Sequence, residues 1–363
     1  MIMISDQVIR SCIEEVRDIA GIELAVIDTD GKPVAKTVQA TVLEEEAARF
    51  LDSEEDEAEI GGSLFIRVKD EDDTAYVLVS GGGKKDRTSA RLAAASLKNL
   101  IKAYKDKIDR NSFFQDLLLD NLLLVDIYNR AQKLHIDPVL KRCVYVIEPT
   151  GSRENSLMEM VRELFYTEAG DHVTAVDENH IIVIKAVGDD TEEGLRETAD
   201  MLVEMARSEA MSDVRVAYGT VTDDIKGVSS SYKEARMALE VSRIFYPLKR
   251  CIEYGNLGVG RLIYQLPVSL CRLFIKEIFG DDIPEEIDDE ILTTVNRFFD
   301  NSLNVSETSR QLFIHRNTLI YRIEKLQKLT GLDVRVFDDA LTLKIALMVV
   351  NYLKHAGNSE KEE

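Results

Sequence analysis

Apolar residues at Val8, Ile9, Cys12, Ile13, Val16 and Ile19 recur at threes and fours, which predicts a helix over 7–20 that ends at Gly21. The run Glu23 to Ile27, the turn Asp28-Thr-Asp-Gly31 and the run Lys32 to Ala35 then predict a hairpin, because Asp-Gly supplies the positive backbone angle a tight turn needs. Strands at 63–68 and 75–79 complete a small α/β unit with a sensor-like order of elements. Past Gly81-Gly-Gly83, residues 87–134 are rich in Leu, Ala, Lys and Asp, and Leu92, Leu97, Leu100, Ile101, Tyr104 and Ile108 keep helical spacing. One long helix, or two broken near Asn111-Ser112, is expected. Its apolar face is a candidate dimer seam, although packing on the first unit explains it equally well.

A second unit follows, in the order strand (143–147), helix (154–166), hairpin (172–187), helix (194–208) and strand (214–220), with a further helix over 230–244. That β-α-β-β-α-β order predicts a ferredoxin-like sheet with its helices on one face. Helices at 259–279 and 288–299 flank an acidic, Pro-containing loop at 280–289, and the polar tail 357–363 is expected to be disordered.

Next comes a pair of short helices. Asn304 suits a helix start and Glu307 stands where a capping box places its second member. Val305, Ser309 and Leu312 form the inward stripe of the first helix, with a small residue where a second helix crosses. A turn at 313–315 leads to a second helix with inward Leu319, Ile323 and Leu326, closed by Gly331. Its other face carries Arg316, Asn317, Thr318, Tyr321, Arg322 and Lys325, with His315 at the turn. These are donors that suit base edges and phosphates. The leading residues of such a helix enter the major groove, so Arg316, Asn317 and Thr318 are the candidate base readers, and Arg322, Lys325 and Lys328 the candidate phosphate contacts. Ordinary amphipathic helices with a solvated basic face would share the periodicity.

Charge sharpens the picture. The chain carries a formal −21, against nonspecific nucleic-acid binding over its whole surface. Residues 41–75 alone carry −10, whereas 301–331 carry +3, a local basic patch that suits a confined DNA-reading face. Cys12, Cys143, Cys251 and Cys271 lie far apart and read as reduced, buried thiols, with no metal or redox spacing. No apolar run reaches the roughly 20 residues of a membrane helix, and no secretory signal is evident at the N-terminus, so the cytoplasm is expected.

The stretch Asn304 to Gly331, with its core His315-Arg-Asn-Thr-Leu-Ile-Tyr-Arg322 followed by Leu329-Thr-Gly331 and the segment 341–347, closely resembles the C-terminal helix-turn-helix of the sugar diacid and purine catabolism regulators (CdaR/PucR type). Ser309 stands where that family usually has Ala. Upstream, Val216-Ala-Tyr-Gly219 and Ser231 to Leu239 resemble the family's middle domain, which is related to diguanylate cyclases but lacks their activity. In place of a Gly-Gly-Asp/Glu-Glu-Phe turn, this chain has Asp177-Glu-Asn-His180, without glycines for close phosphate approach. Glu148 on the first strand does not by itself supply the missing metal carboxylates. The N-terminal unit matches only loosely and lacks the family's sugar-diacid signature, leaving Lys32, Lys36, Arg67 and Lys69 as the groups that could meet an anionic effector.

The expected architecture is therefore α+β and multidomain: a sensor-like α/β unit (1–86), a helical connector and dimerisation segment (87–135), a ferredoxin-like, degenerate cyclase-type (GGDEF-like) middle domain without activity (136–258), an all-α helix-turn-helix domain (259–356) and the tail. The resemblance implies a ligand-responsive regulator of a catabolic operon that binds double-stranded operator DNA as a homodimer or higher oligomer. It takes an unknown small-molecule effector, with no catalytic residue, no cofactor, no metal and no membrane contact. Two other readings are a nucleotide cyclase or phosphodiesterase lodged in 140–260, and a protein-interaction module built on the C-terminal helices.

Overall fold

A computed structural model describes residues 4–70, 73–81, 84–151, 155–166, 170–188, 191–280 and 289–362. The chain divides into two compact units, Met1–Phe114 and Gln115–Glu363.

In the first unit α1 (Asp6–Ala20) precedes the hairpin β1 (Leu24–Ile27) and β2 (Pro33–Lys36). Its turn is held by Asp28 Oδ1, which accepts the Asp30 and Lys32 amides at 2.9 and 2.8 Å. Then come α2 (Glu44–Leu51), β3 (Glu57–Ile60), β4 (Ser63–Asp70), β5 (Asp73–Gly81) and α3 (Lys84–Leu118), whose last turn belongs to the second unit. The strands form one antiparallel sheet in the order β2-β1-β5-β4-β3. Side chains alternate between its faces, as the pleat requires. Leu24, Val26, Leu64, Ile66 and Leu78 meet α1 and α3, while Ala25, Ile27, Phe65, Val77 and Val79 meet Ala47 and Phe50 of α2.

Sequence periodicity missed α2 and β3, which lie in the acidic segment. Acidic residues crowd both elements, and the sheet's second face was needed to give Ala47 and Phe50 something to cover. Of the one helix or two expected over 87–134, two are present, but the break falls after Leu118 and not near Asn111-Ser112: α3 runs through both residues, because a helix already nucleated adds each further residue cheaply. Leu97 and Ile101 are buried on the first unit's own sheet and Leu100 and Tyr104 pack beside them, leaving Leu92 and Ile108 exposed.

Arg67 is also placed otherwise than as an effector contact. Its guanidinium donates to the carbonyls of Phe50, Leu51, Ser53 and Glu55 at 2.5 to 3.2 Å, closing the C-terminal end of α2, where carbonyls lack helical partners and a cation is favoured. Lys69 pairs with Asp56 at 2.5 Å.

The second unit opens with α4 (Leu124–Lys133), β6 (Arg142–Pro149), α5 (Asn155–Leu164), β7 (His172–Thr174), β8 (Ile181–Ala186), α6 (Glu192–Ser208), β9 (Val214–Tyr218), α7 (Val228–Phe245) and β10 (Cys251–Glu253). Its sheet runs β10-β9-β6-β8-β7, with only β10 and β9 parallel. The strand–helix order is the expected one as far as α7, with β10 added after it, and the two helices of the β-α-β-β-α-β unit share one face as expected. Cys143, Tyr145, Ile147, Ile181 and Val183 meet α5 and α6, whereas α7 covers β6 and β9 from the other side. Gly219 permits that approach, since a Cβ there would stand 2.1 Å from the Ser231 carbonyl oxygen of α7.

The all-α end contains α8 (Val259–Tyr264), α9 (Val268–Phe279), α10 (Asp289–Asp300), α11 (Val305–Gln311), α12 (Arg316–Thr330) and α13 (Phe337–Glu362). The single helix expected over 259–279 is two, because Pro267 has no amide to continue α8 and restrains the residue before it. The loop expected at 280–289 lies, over 281–288, outside the described residues. The tail expected to be disordered continues α13 as far as Glu362, carried by propagation from a well-anchored helix, and residue 363 is outside the described residues. The cysteines are unpaired. Cys143 and Cys271 are buried as expected, but Cys12 and Cys251 are only half-buried. Burial pushes the Cys143 thiol up to about 12.

Candidate nucleic-acid interface

The C-terminal helices close around Ile291, Val295 and Phe298 of α10, Leu319, Ile323 and Leu326 of α12, and Leu343 and Leu347 of α13. Asn304 caps α11 as its sequence position predicts, its side-chain oxygen accepting the Glu307 amide at 3.0 Å. The reciprocal half of the capping box is not made. Glu307 instead accepts from Arg310 and Gln311 at 2.6 and 2.9 Å, and the Asn304 amide donates to Asn301. The bond from Arg310 is the main cause holding the Glu307 carboxyl below the usual carboxylate range. The fully buried residue of α11 is Thr308, not Ser309. Its hydroxyl donates to the Asn304 carbonyl, whereas Ser309 is half-exposed and bonds Ser306. The spacing 305, 308, 312 would have found it.

A left-handed residue, Phe313 (φ 53°), turns the chain between α11 and α12. His315 then caps α12 with Nδ1, which accepts the Asn317 amide at 3.3 Å. Gly331, at φ 73°, ends the helix in the left-handed conformation that a side chain resists. Between these caps, Leu319, Ile323 and Leu326 are at most 1% exposed and fix the rotation of α12. The first turn and the outer face are consequently left to solvent: His315, Arg316, Asn317, Thr318, Tyr321, Lys325 and Lys328 are all exposed.

Arg322 is set apart from this group. It turns towards α10, where it forms an ion pair with Glu290 and donates to Thr294 Oγ1 at 3.0 Å. No local sequence signal could have shown this, because Glu290 is 32 residues away.

A second cluster stands where the middle domain's hairpin meets β6. Asp177 Oδ1 accepts the Asn179 and His180 amides and lies 2.8 Å from His180 Nδ1, while His180 Nε2 is 3.7 Å from Glu148. Glu148 is in turn engaged by Arg243 of α7, which also donates to Glu240 at 2.9 Å. Burial works to raise the Asp177 pKa, but the His180 side chain and the two amides outweigh it and hold the carboxyl below its ordinary value. Among the described residues no group of three or more His, Cys, Asp or Glu is arranged to hold a metal, and no helix is long and apolar enough to cross a membrane.

Helices α10 to α13 define a helix-turn-helix domain, and comparison with known proteins agrees. Residues 291–349 match the PucR C-terminal helix-turn-helix domain, and residues 121–241 match the GGDEF-like domain. The chain is 27% identical over 238 residues to the Carbohydrate diacid regulator of Escherichia coli (strain K12), covering 60% of each chain. It is 27% identical over 121 residues to the Purine catabolism regulatory protein of Bacillus subtilis (strain 168), covering 33% of this chain and 23% of that one. It is 23% identical over 283 residues to the DNA-binding transcriptional activator AdeR of the same organism, covering 71% of this chain and 65% of the relative. The matches thus span less than two thirds of each of these relatives. These two domain matches and these relatives support a regulator of the CdaR/PucR type.

Proposed function

We propose that the protein is a ligand-responsive transcriptional regulator of a catabolic operon, which binds operator DNA through the first turn of α12. One observation carries this reading. Arg316, Asn317 and Thr318 stand exposed at the N-terminal end of a helix whose rotation is fixed by three buried residues, within a basic segment of an acidic chain. A fixed helix start with guanidinium, amide and hydroxyl groups suits major-groove base edges. His315, Tyr321 and Lys325 flank these readers, and Arg322 serves the site by tying α12 to α10. The protein acts in the cytoplasm as a homodimer, since paired reading heads multiply the affinity of one small helix-turn-helix. The effector is a small molecule taken by the N-terminal unit.

The middle domain is proposed to have no cyclase activity and to need no cofactor. Glu148, the carboxylate that the first strand offers, is already paired with Arg243. The test is selection of bound fragments from random DNA. A short palindrome is the expected product. A single unpaired half-site would refute the dimer, and no enrichment at all would refute the DNA-binding reading.

A further inference from the structure

We propose that Phe313 is a specificity-determining residue that reads a thymine methyl group at the edge of the operator half-site. The inference rests on the reading of α12 as the DNA-reading helix and adds to it a residue and a base.

Two features of Phe313 are unfavourable for the isolated chain. The first is its backbone: the turn is closed by the Phe313 amide on Arg310 O at 3.2 Å and the Ile314 amide on Ser309 O at 3.0 Å, and it places Phe313 at φ 53°. Glycine adopts that conformation without steric cost, whereas a bulky aromatic residue there is an outlier. The second is its ring, which is 95% exposed. The residues on either side, Leu312 and Ile314, pack against the domain core, so the fold uses the turn but not the Phe313 side chain. An aromatic ring left in solvent on a left-handed backbone, next to the start of the candidate reading helix, points to a contact outside the chain.

The position indicates what that contact is. Phe313 stands two residues before the His315 cap, within about 7 Å of it along the chain. Docking that brings Arg316, Asn317 and Thr318 to the base edges brings the turn that carries Phe313 beside the same groove. The polar edges are matched by the helix start, and the apolar mark in the major groove is the thymine C5-methyl, to which a Phe ring is suited.

The test uses full-length wild type and Phe313→Gly, with the fragment that wild type enriches from random DNA as the probe. Glycine relieves the backbone, so the thermal midpoint should hold or rise, while affinity for the fragment falls about tenfold and affinity for unrelated DNA is unchanged. Each thymine of the half-site is then replaced by uracil, which removes only the methyl group. Wild type should lose a similar factor at one position, and Phe313→Gly should lose nothing there. A lowered midpoint would show that the ring supports the fold. Equal losses on all DNA with no response to uracil would show a sugar contact. Either result overturns the proposal, as does unchanged affinity for the selected fragment. If wild type enriches no fragment, the DNA-binding reading fails; if it does and Phe313→Gly keeps the same base preferences, only this inference fails.

Discussion

Arg322 of α12 and Glu290 of α10 form an ion pair across the helix-turn-helix domain, and the same guanidinium donates to the hydroxyl of the fully buried Thr294. The Arg322 side chain is only 20% exposed, whereas Glu290 is largely in solvent. The hydrogen bond to Thr294 therefore matters more than the screened charge pair. Arg322→Ala should lower stability by about 1–2 kcal/mol. Urea unfolding checks the loss, and an unchanged midpoint would show that the pair is incidental.

Arg316→Ala is expected to behave in the opposite way. Its side chain starts the exposed face of α12, so the unfolding midpoint should stay within about 0.5 kcal/mol of wild type. Binding to the selected operator should weaken by about 1–3 kcal/mol and lose discrimination at one base pair. Gel-shift titration of matched and mismatched fragments separates this from a general loss of phosphate contact.

The Asp177 carboxyl has a folded-state pKa below its unfolded value, so its contribution is complete above the unfolded value of about 4 and is lost as pH falls through the folded one. Asp177→Asn removes that charge from beside His180 and should make the decline of stability below about pH 4 shallower. With a third of the side chain exposed, the cost near neutral pH should not exceed about 1 kcal/mol. Unfolding midpoints followed from neutral to acid pH are the measurement, and parallel curves for the two proteins would exclude the assignment.

Incubated with GTP and Mg²⁺ or Mn²⁺, the protein should form no cyclic dinucleotide, because the hairpin lacks glycines for phosphate approach and Glu148 already neutralises Arg243. Chromatography of the reaction is the check. Turnover that vanishes when Asp177 and Glu178 are replaced would restore the enzyme reading.

Much of this molecule is decided locally. Asn304 and Gly331 cap the helices their positions predict, the 319–323–326 spacing fixes the buried stripe of α12, and the strand–helix order of the middle unit follows from hydrophobic period alone. Such features depend on residues three or four apart, and a sequence displays those neighbours directly. The break at Pro267 was missed, because the long apolar period around it concealed it.

What depended on distant parts of the chain was not legible. The order β2-β1-β5-β4-β3 and the helix α2 follow from which faces of a sheet remain to be covered. The placement of Arg322 depends on Glu290 and Thr294 in another helix, and that of Arg67 on the open carbonyls at the end of α2. Phe313 looks in sequence like one more apolar turn residue. Only the path from α11 into α12 gives it a left-handed backbone, and only the packing of Leu312 and Ile314 leaves its ring in water. Periodicity records which side of an element is apolar, while the partner that side meets is set by long-range packing, and that choice separates the groups that build this domain from those left exposed on the outer face of α12.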